Sequence, residues 1–268
     1  MEPVAAAYAY KSSLERNETL LIGDFGGGTS DFSIVRFTRK RGVLTSKALG
    51  QAGVGVAGDA FDYRLIDNLV SPALGKGSAY RDFDNVAPMP NRYYASFARW
   101  DQLALMRASR DMSDIRGIVR RALEPEKIAR LVEFLDGEYG YRLYQSISRL
   151  KEALSGQSAA RFVFQAGGID IQRDVERSEF EGWIGRDLAA IDAAVDEALS
   201  SARLKPEAID RVFLTGGSSF VPAVRALFER RFDPAKVSTG AELESIAAGL
   251  ALIGEEPDLT PWCERAPA

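Results

Sequence analysis

The sequence of 268 residues contains no histidine and one cysteine. The lack of histidine excludes Ser-His-Asp and Cys-His catalysis, histidine metal sites and histidine pH switches. Any catalytic chemistry must therefore use carboxylates, lysine, hydroxyl groups and the backbone. The single Cys263 excludes an internal disulfide framework and a thiolate zinc site, and this cysteine usage predicts a reducing, cytoplasmic setting.

Long apolar runs and a strong charge bias are also absent. The longest apolar stretch, around residues 245–254, is too short to cross a bilayer, and the N-terminus lacks the basic-then-apolar pattern of a signal peptide. The 34 basic and 38 acidic residues leave a net charge of −4. Because this charge generates no strong field, we expect neither nucleic acid nor a membrane as a partner.

Apolar periodicity predicts an α/β protein in which helices cover a sheet. The predicted strands are residues 19–25, 31–37, 42–49, 160–165, 169–175, 211–217 and a short one near 236–239. The predicted helices are residues 58–74, 100–123, 125–154, about 178–203, 222–232 and 243–254. For the long helix from about Ser178 to about Arg203, a capping box with Glu181 is predicted at the N-terminus. Residues 75–92 have no period and predict a long loop.

These elements predict a discontinuous domain organisation. The core subdomain is predicted from residues 1–57 and 178–256, and an inserted helical and hairpin subdomain from residues 58–177. Residues 257–268 remain as a C-terminal tail. Within the insertion, Gly167-Gly168 lies between two strands and predicts a hairpin turn.

The stretch "DFGGGTSDF" (24–32) holds three consecutive glycines between two predicted strands. Dinucleotide-binding glycine loops run from a strand into a helix, so this strand-to-strand position disfavours a Rossmann fold. Converging amides of such a loop form an anion-binding concavity, Thr29 adds a hydroxyl donor, and Asp24 and Asp31 are suited to the waters of a magnesium ion. The alternative is a glycine-rich hairpin whose aspartates only satisfy turn amides.

Two further stretches could complete a nucleotide site. In "LTGGSSFVP" (214–222) the glycines follow a strand and leave room for a base or ribose, with Ser218 as a hydrogen-bonding group. In "RLKEALSG" (149–156), Lys151 and Ser155 lie four residues apart on one helix face. The alternatives are a tight strand-to-helix turn and a solvated helix end. The arginines at positions 107, 110, 116, 120 and 121 are interpreted as a solvated face.

Taken in order, five stretches resemble the DnaK-type seventy-kilodalton heat-shock chaperone ATPases, and among them the atypical YegD-like members. The stretches are "EPVAAAYAY" (2–10), "DFGGGTSDFSI" (24–34), "AGDAFD" (57–62), "LKEALSG" (150–156) and "LTGGSSFVP" (214–222). The resemblance implies the second lobe of an actin-like, ribonuclease H-like ATPase fold. It also implies ATP or ADP with magnesium as cofactors, and client or co-chaperone proteins as partners.

The resemblance also implies residue roles. Gly26, Gly27, Gly28 and Thr29 would hold the β- and γ-phosphates. Asp24 would act through magnesium-bound waters, with Asp31 and Glu2 in support. Gly58 would approach phosphate, Lys151 and Ser155 would face adenosine, and Gly216, Gly217 and Ser218 would line the base and ribose.

Several positions depart from the family pattern. Ser148, Glu152 and Phe220 stand where the chaperones carry polar or charged adenosine contacts, and Leu243 stands where an acidic residue is usual. An aromatic ring at Phe220 can still stack on a base. The Asp-x-Gly-Thr phosphate loop and catalytic lysine of the first lobe are not found upstream of the glycines.

Phosphoryl transfer needs charge stabilisation on both sides of the phosphate. We therefore expect ATP hydrolysis only in a longer, two-lobe chain in which the first lobe of the same protein is the partner. Two alternatives stay open: a nucleotide-independent protein-interaction module, and a sugar or acid kinase of the same fold.

Overall fold

The computed structural model describes residues 16–40 and 43–239, which divide into two compact units. Unit 1 consists of the described parts of Met1–Gly58 and Arg186–Ala268, and unit 2 of Asp59–Gly185. The core, insertion and tail predicted from the sequence, with their own bounds, stay predictions. Glu2, the stretch at residues 2–10, Leu243, the helix predicted at 243–254 and Cys263 lie outside the described residues.

The described chain contains both strands and helices. The strands are β1 (Glu18–Phe25), β2 (Ser30–Lys40), β3 (Val43–Val54), β4 (Ala79–Asp82), β5 (Asn85–Pro88), β6 (Ala159–Ala166), β7 (Ile169–Glu176), β8 (Arg211–Thr215) and β9 (Val237–Thr239). The helices are α1 (Gly58–Leu69), α2 (Arg92–Ala95), α3 (Trp100–Met106), α4 (Arg110–Val119), α5 (Pro125–Asp136), α6 (Gly140–Gly156), α7 (Arg177–Trp183), α8 (Gly185–Ala202) and α9 (Pro222–Arg231). Along these described residues, every helix is too short or too polar to span a membrane.

Unit 1 is organised around a five-stranded sheet with the order β3-β2-β1-β8-β9. The first three strands form the predicted antiparallel meander, whereas β8 and β9 run parallel to β1. Every residue of β1 is buried, as its central position requires. The rings of Phe25 on β1, Phe32 on β2 and Phe228 on α9 have centroids 5.8–6.1 Å apart. They form an aromatic core between the sheet and this helix.

Unit 2 combines two hairpins with helices α2–α7 and all of α1 after Gly58. Its core is aromatic as well, since the ring of Phe134 lies 5.3 Å from that of Phe97 and 6.0 Å from that of Phe164. The predicted Gly167-Gly168 turn is confirmed between β6 and β7, with the Gly168 backbone N–H donating to the Glu133 carboxylate at 2.6 Å. Arg107, Arg116 and Arg121 form exposed ion pairs with Glu138, Asp136 and Asp82, as expected of a solvated face.

A strand-like contact closes part of unit 2. The Arg81 backbone N–H donates to the Arg121 carbonyl oxygen at 2.8 Å, and the Leu123 backbone N–H donates to the Ala79 carbonyl oxygen at 2.8 Å. Tyr80 and Ala122 form an antiparallel bridge between these bonds. The chain therefore leaves strand β4 and returns beside the same strand about forty residues later.

Four predicted elements differ from the structure. The helix at 100–123 is divided between α3 and α4, because Ser109 has an extended backbone (φ −88°, ψ 165°). The helix at 125–154 is divided between α5 and α6, where Glu138 has a φ of 55°. The loop at 75–92 contains the hairpin β4–β5. The helix from Ser178 is divided at Ile184, and its capping contact runs from the Glu176 backbone N–H to the Glu179 carboxylate at 3.1 Å rather than from Ser178 to Glu181.

Candidate functional site

The three glycines form the turn of the β1–β2 hairpin, so the predicted strand-to-strand loop is confirmed. Phe25 and Ser30 are the last ladder pair, and the Gly26 backbone N–H donates to the Thr29 carbonyl oxygen at 2.9 Å. Residues 26–29 are all exposed. The turn therefore presents backbone to solvent with no side chain larger than threonine.

Two carboxylates face one another beside this turn. Asp24 of β1 pairs with Asp31 of β2, so both side chains project from the same face of the sheet. Asp24 is 9% exposed, and Asp31 Oδ2 accepts a hydrogen bond from Thr29 Oγ1 at 2.9 Å. Gly53 of β3 makes room for Asp31, because a Cβ there would lie 2.7 Å from its Oδ1. Two carboxylates are therefore brought together beside the glycine turn.

The second glycine motif lies against the same turn. Gly216 follows β8 with a φ of +86°, and a Cβ at this residue would lie 2.1 Å from the Phe25 carbonyl oxygen. Because β1 and β8 are parallel neighbours, both motifs sit at the carboxyl edge of the sheet, where open α/β sheets bind ligands. In the 3-10 turn Gly217–Phe220, Ser218 is buried at 3% exposure and Phe220 is 54% exposed.

Hydrogen bonds attach the start of α1 to the hairpin turn. The Gly58 backbone N–H donates to the Gly26 carbonyl oxygen at 3.4 Å, and Ser30 Oγ donates to the Val56 carbonyl oxygen at 2.7 Å. Unit 1 thus holds most of the residues predicted for a nucleotide site. They are Asp24, Gly26, Gly27, Gly28, Thr29, Asp31, Gly58, Gly216, Gly217, Ser218 and Phe220.

The other two predicted residues that the structure describes belong to unit 2. Lys151 on α6 has its Nζ 2.8 Å from Asp62 Oδ1 on α1, with both side chains less than a fifth exposed. Ser155 Oγ donates to the Lys151 carbonyl oxygen within the helix at 2.9 Å. The sequence analysis missed Asp62 as the ionic partner, although this residue lies in the stretch at 57–62 quoted for the resemblance. Burial raises the pKa of Asp62 above 3.8, although the Lys151 charge acts to lower it.

This raised pKa predicts an effect of pH on stability. Since the folded-state pKa of Asp62 exceeds 3.8, the folded chain binds its proton first as the pH falls. We therefore expect the free energy of unfolding of the wild type, relative to Asp62→Asn, to increase as the pH falls through the raised pKa towards 3.8. Urea unfolding of both proteins at a series of pH values measures this difference. Asp84→Asn, at an exposed turn, is the control, and a pH-independent difference for Asp62→Asn would contradict the prediction.

Comparison with known proteins relates this chain to one protein family. A family model described as "Hsp70 protein" matches residues 1–81 and 135–256. The DnaK chaperone protein of Cyanophora paradoxa is 27% identical over 264 residues, which cover 96% of this chain and 35% of the relative. The DnaK chaperone protein of Thermosipho africanus is 30% identical over 263 residues, which cover 95% of this chain and 36% of the relative. The chain thus spans about a third of the length of these relatives.

Proposed function

The chain belongs to the Hsp70 family, and on this premise we propose that unit 1 binds the phosphates of ATP or ADP together with magnesium. The observation that carries the proposal is the shared edge of β1 and β8, where Gly216 lies against Phe25 beside the glycine turn. Two glycine motifs far apart in sequence thereby meet at one ligand-binding edge.

The residues at this edge fit such a ligand. The exposed turn at 26–29 has small side chains and backbone amides that suit phosphate oxygens, with the Thr29 hydroxyl beside them. Asp24 and Asp31 would hold a magnesium ion through its waters, and the ion would neutralise phosphate charge. Gly217 and Phe220 are exposed next to the turn and would contact the ribose and base. The adenosine roles of Lys151 and Ser155, and the support from Glu2, stay predictions.

Hydrolysis is a separate part of the proposal. Charge stabilisation is needed on both sides of the transferred phosphate, so we assign turnover only to a longer chain that supplies the opposite phosphate contacts.

Client or co-chaperone proteins and a cytoplasmic setting belong to the proposal on the strength of the family alone. A nucleotide-independent interaction module is the second candidate, favoured by the departures from the family pattern at Ser148, Glu152, Phe220 and Leu243. A screen for small phosphate acceptors tests the third candidate, a sugar or acid kinase.

Calorimetric titration tests nucleotide binding. Magnesium ATP and magnesium ADP are titrated into this chain and into a version extended upstream by the rest of its ATPase domain. We expect saturable binding by the extended version, much weaker binding by this chain, and loss of binding when magnesium is chelated. If neither protein binds nucleotide while both remain folded, the proposal is wrong. Capture of one partner protein with equal affinity in the presence and absence of nucleotide would instead favour the interaction module.

A further inference from the structure

Unit 2 contains a cavity that the nucleotide site does not use. Its volume is about 670 Å³, within the range of roughly 300–1,000 Å³ typical of small-molecule sites. It lies where α3, the end of α5 and the start of α6 meet. The lining residues that carry the argument are Leu103, Arg107, Phe134, Glu138, Tyr141 and Tyr144.

The surface of this cavity is mainly apolar and aromatic. Leu103 and Phe134 are buried, and the ring of Tyr141 stands at the opening with 75% of its surface exposed. The tyrosine hydroxyls already make bonds within the protein. Tyr144 Oη donates to the Phe97 carbonyl oxygen at 2.7 Å, and Tyr141 Oη accepts from Gln145 Nε2 at 2.8 Å. The Tyr144 hydroxyl proton is therefore already used within the protein, and both tyrosines offer their rings to an occupant.

The charged groups of the cavity neutralise one another. Arg107 and Glu138 form an ion pair, and both side chains are more than half exposed. This pair gives the opening one donor and one acceptor but no net charge to attract an ion. A charged ligand would have to exchange its water for apolar walls, which is costly without a partner of opposite charge. The lining thus favours an uncharged occupant.

Part of the cavity comes from a segment that the family match does not cover. The match ends at residue 81 and resumes at residue 135. Leu103, Arg107 and Phe134 lie in the unmatched segment, whereas Glu138, Tyr141 and Tyr144 lie in the matched part. The cavity is therefore formed by residues outside the family-model match on one side and by residues inside it on the other.

The absence of a side chain at Gly140 fixes one wall of the cavity. A Cβ at this residue, at the start of α6, would lie 3.1 Å from Leu103 Cδ2, so glycine allows α6 to approach Leu103 closely. Both residues line the cavity.

We propose that the cavity is a binding site for a small, uncharged aromatic molecule. Its ring would lie among Phe134, Tyr141 and Tyr144, with favourable offset or edge-to-face contacts. A polar substituent would meet the Arg107–Glu138 pair at the opening. The site is independent of the nucleotide proposal, because the two share no residue.

Fluorescence titration of the whole chain with N-phenyl-1-naphthylamine, an uncharged aromatic probe, tests the proposal without nucleotide present. We expect saturation at one probe per chain. Leu103→Trp fills the cavity and is expected to weaken binding at least about tenfold. Leu105→Trp is the matched control, since Leu105 is on the same helix but 71% exposed, and it should leave binding unchanged.

A second variant covers the case in which Leu103→Trp does not fold. Tyr141→Ala changes an exposed residue and should weaken probe binding while the circular dichroism and unfolding midpoint stay close to wild type. Lack of saturable binding, or binding that neither Leu103→Trp nor Tyr141→Ala weakens, would overturn the proposal. Equal or tighter binding of the anionic analogue 8-anilinonaphthalene-1-sulfonate would overturn the assignment to uncharged ligands.

Discussion

Replacing Gly216 with alanine is expected to lower the free energy of unfolding by roughly 3 kcal/mol or more. The backbone φ of +86° at this residue is unfavourable for any residue with a Cβ. Alanine would also place its Cβ 2.1 Å from the Phe25 carbonyl oxygen. This oxygen belongs to the backbone of the central strand, so no side-chain rotation can relieve the contact. To relieve this contact, β8 would have to separate from the end of β1.

Urea unfolding of Gly216→Ala beside Gly217→Ala measures this cost. Gly217 is the neighbouring residue, and a Cβ added there meets nothing within 4 Å. Its substitution should therefore change stability by no more than about 1 kcal/mol, the scale of ordinary glycine-to-alanine effects. Similar unfolding free energies for the two variants would show that the contact between Gly216 and β1 does not constrain the fold.

Asp24→Asn is expected to reduce ATP turnover about 10²–10³-fold in a longer version of the protein that hydrolyses ATP, the scale found when one stabilising group is removed from an active site. The substitution preserves the size of a nearly buried side chain but removes the charge that would hold the waters of magnesium. This prediction rests on the proposed function.

Steady-state hydrolysis by wild type, Asp24→Asn and Asp84→Asn tests the role of this carboxylate. Asp84 lies in an exposed turn of the β4–β5 hairpin, so the same chemical change there should leave turnover unaltered. The unfolding midpoints of the three proteins show whether the fold is retained. Unchanged turnover in a folded Asp24→Asn variant would show that Asp24 has no role in hydrolysis, even if nucleotide binding itself were confirmed.

The sequence predicted the strands of unit 1 and the start of α9 well, because the local signals there agree with the tertiary contacts. The glycines at 26–28 interrupt two β-forming runs, and the pairing of Asp24 with Asp31 follows once those runs are joined by a hairpin. Pro222 begins α9 as the first-turn preference of proline predicts. In these cases each element is determined by residues within it or next to it.

Unit 2 was predicted less accurately because its boundaries depend on unusual backbone states. The hairpin β4–β5 turns through Phe83, which has a φ of 52° although turns of this kind favour asparagine or glycine. The break between α5 and α6 places Glu138 at a φ of 55° after Gly137, and the helical apolar pattern continues across it. Neither residue carries a local signal for the conformation it adopts.

The relation between distant residues at the candidate site was also beyond local reasoning. Gly216 was predicted to leave space for a ligand, yet its missing Cβ first makes room for the backbone of β1. Lys151 was predicted to face adenosine, and its ion pair with Asp62 depends on how α6 lies beside α1. These contacts join residues that are almost ninety or more positions apart in the sequence. Neither motif spacing nor composition predicts which distant residues will meet.

The return of residues 121–123 to the side of β4 has a consequence for how this chain relates to its family. A segment that departs from and rejoins a scaffold at neighbouring points can be lengthened, shortened or removed during evolution without displacing what lies on either side of it. Most of the stretch between the two family-matched ranges is such a segment. Because Leu103 and Arg107 belong to it whereas Glu138, Tyr141 and Tyr144 do not, loss of the segment would remove one wall of the aromatic cavity without removing any residue of the shared edge of β1 and β8.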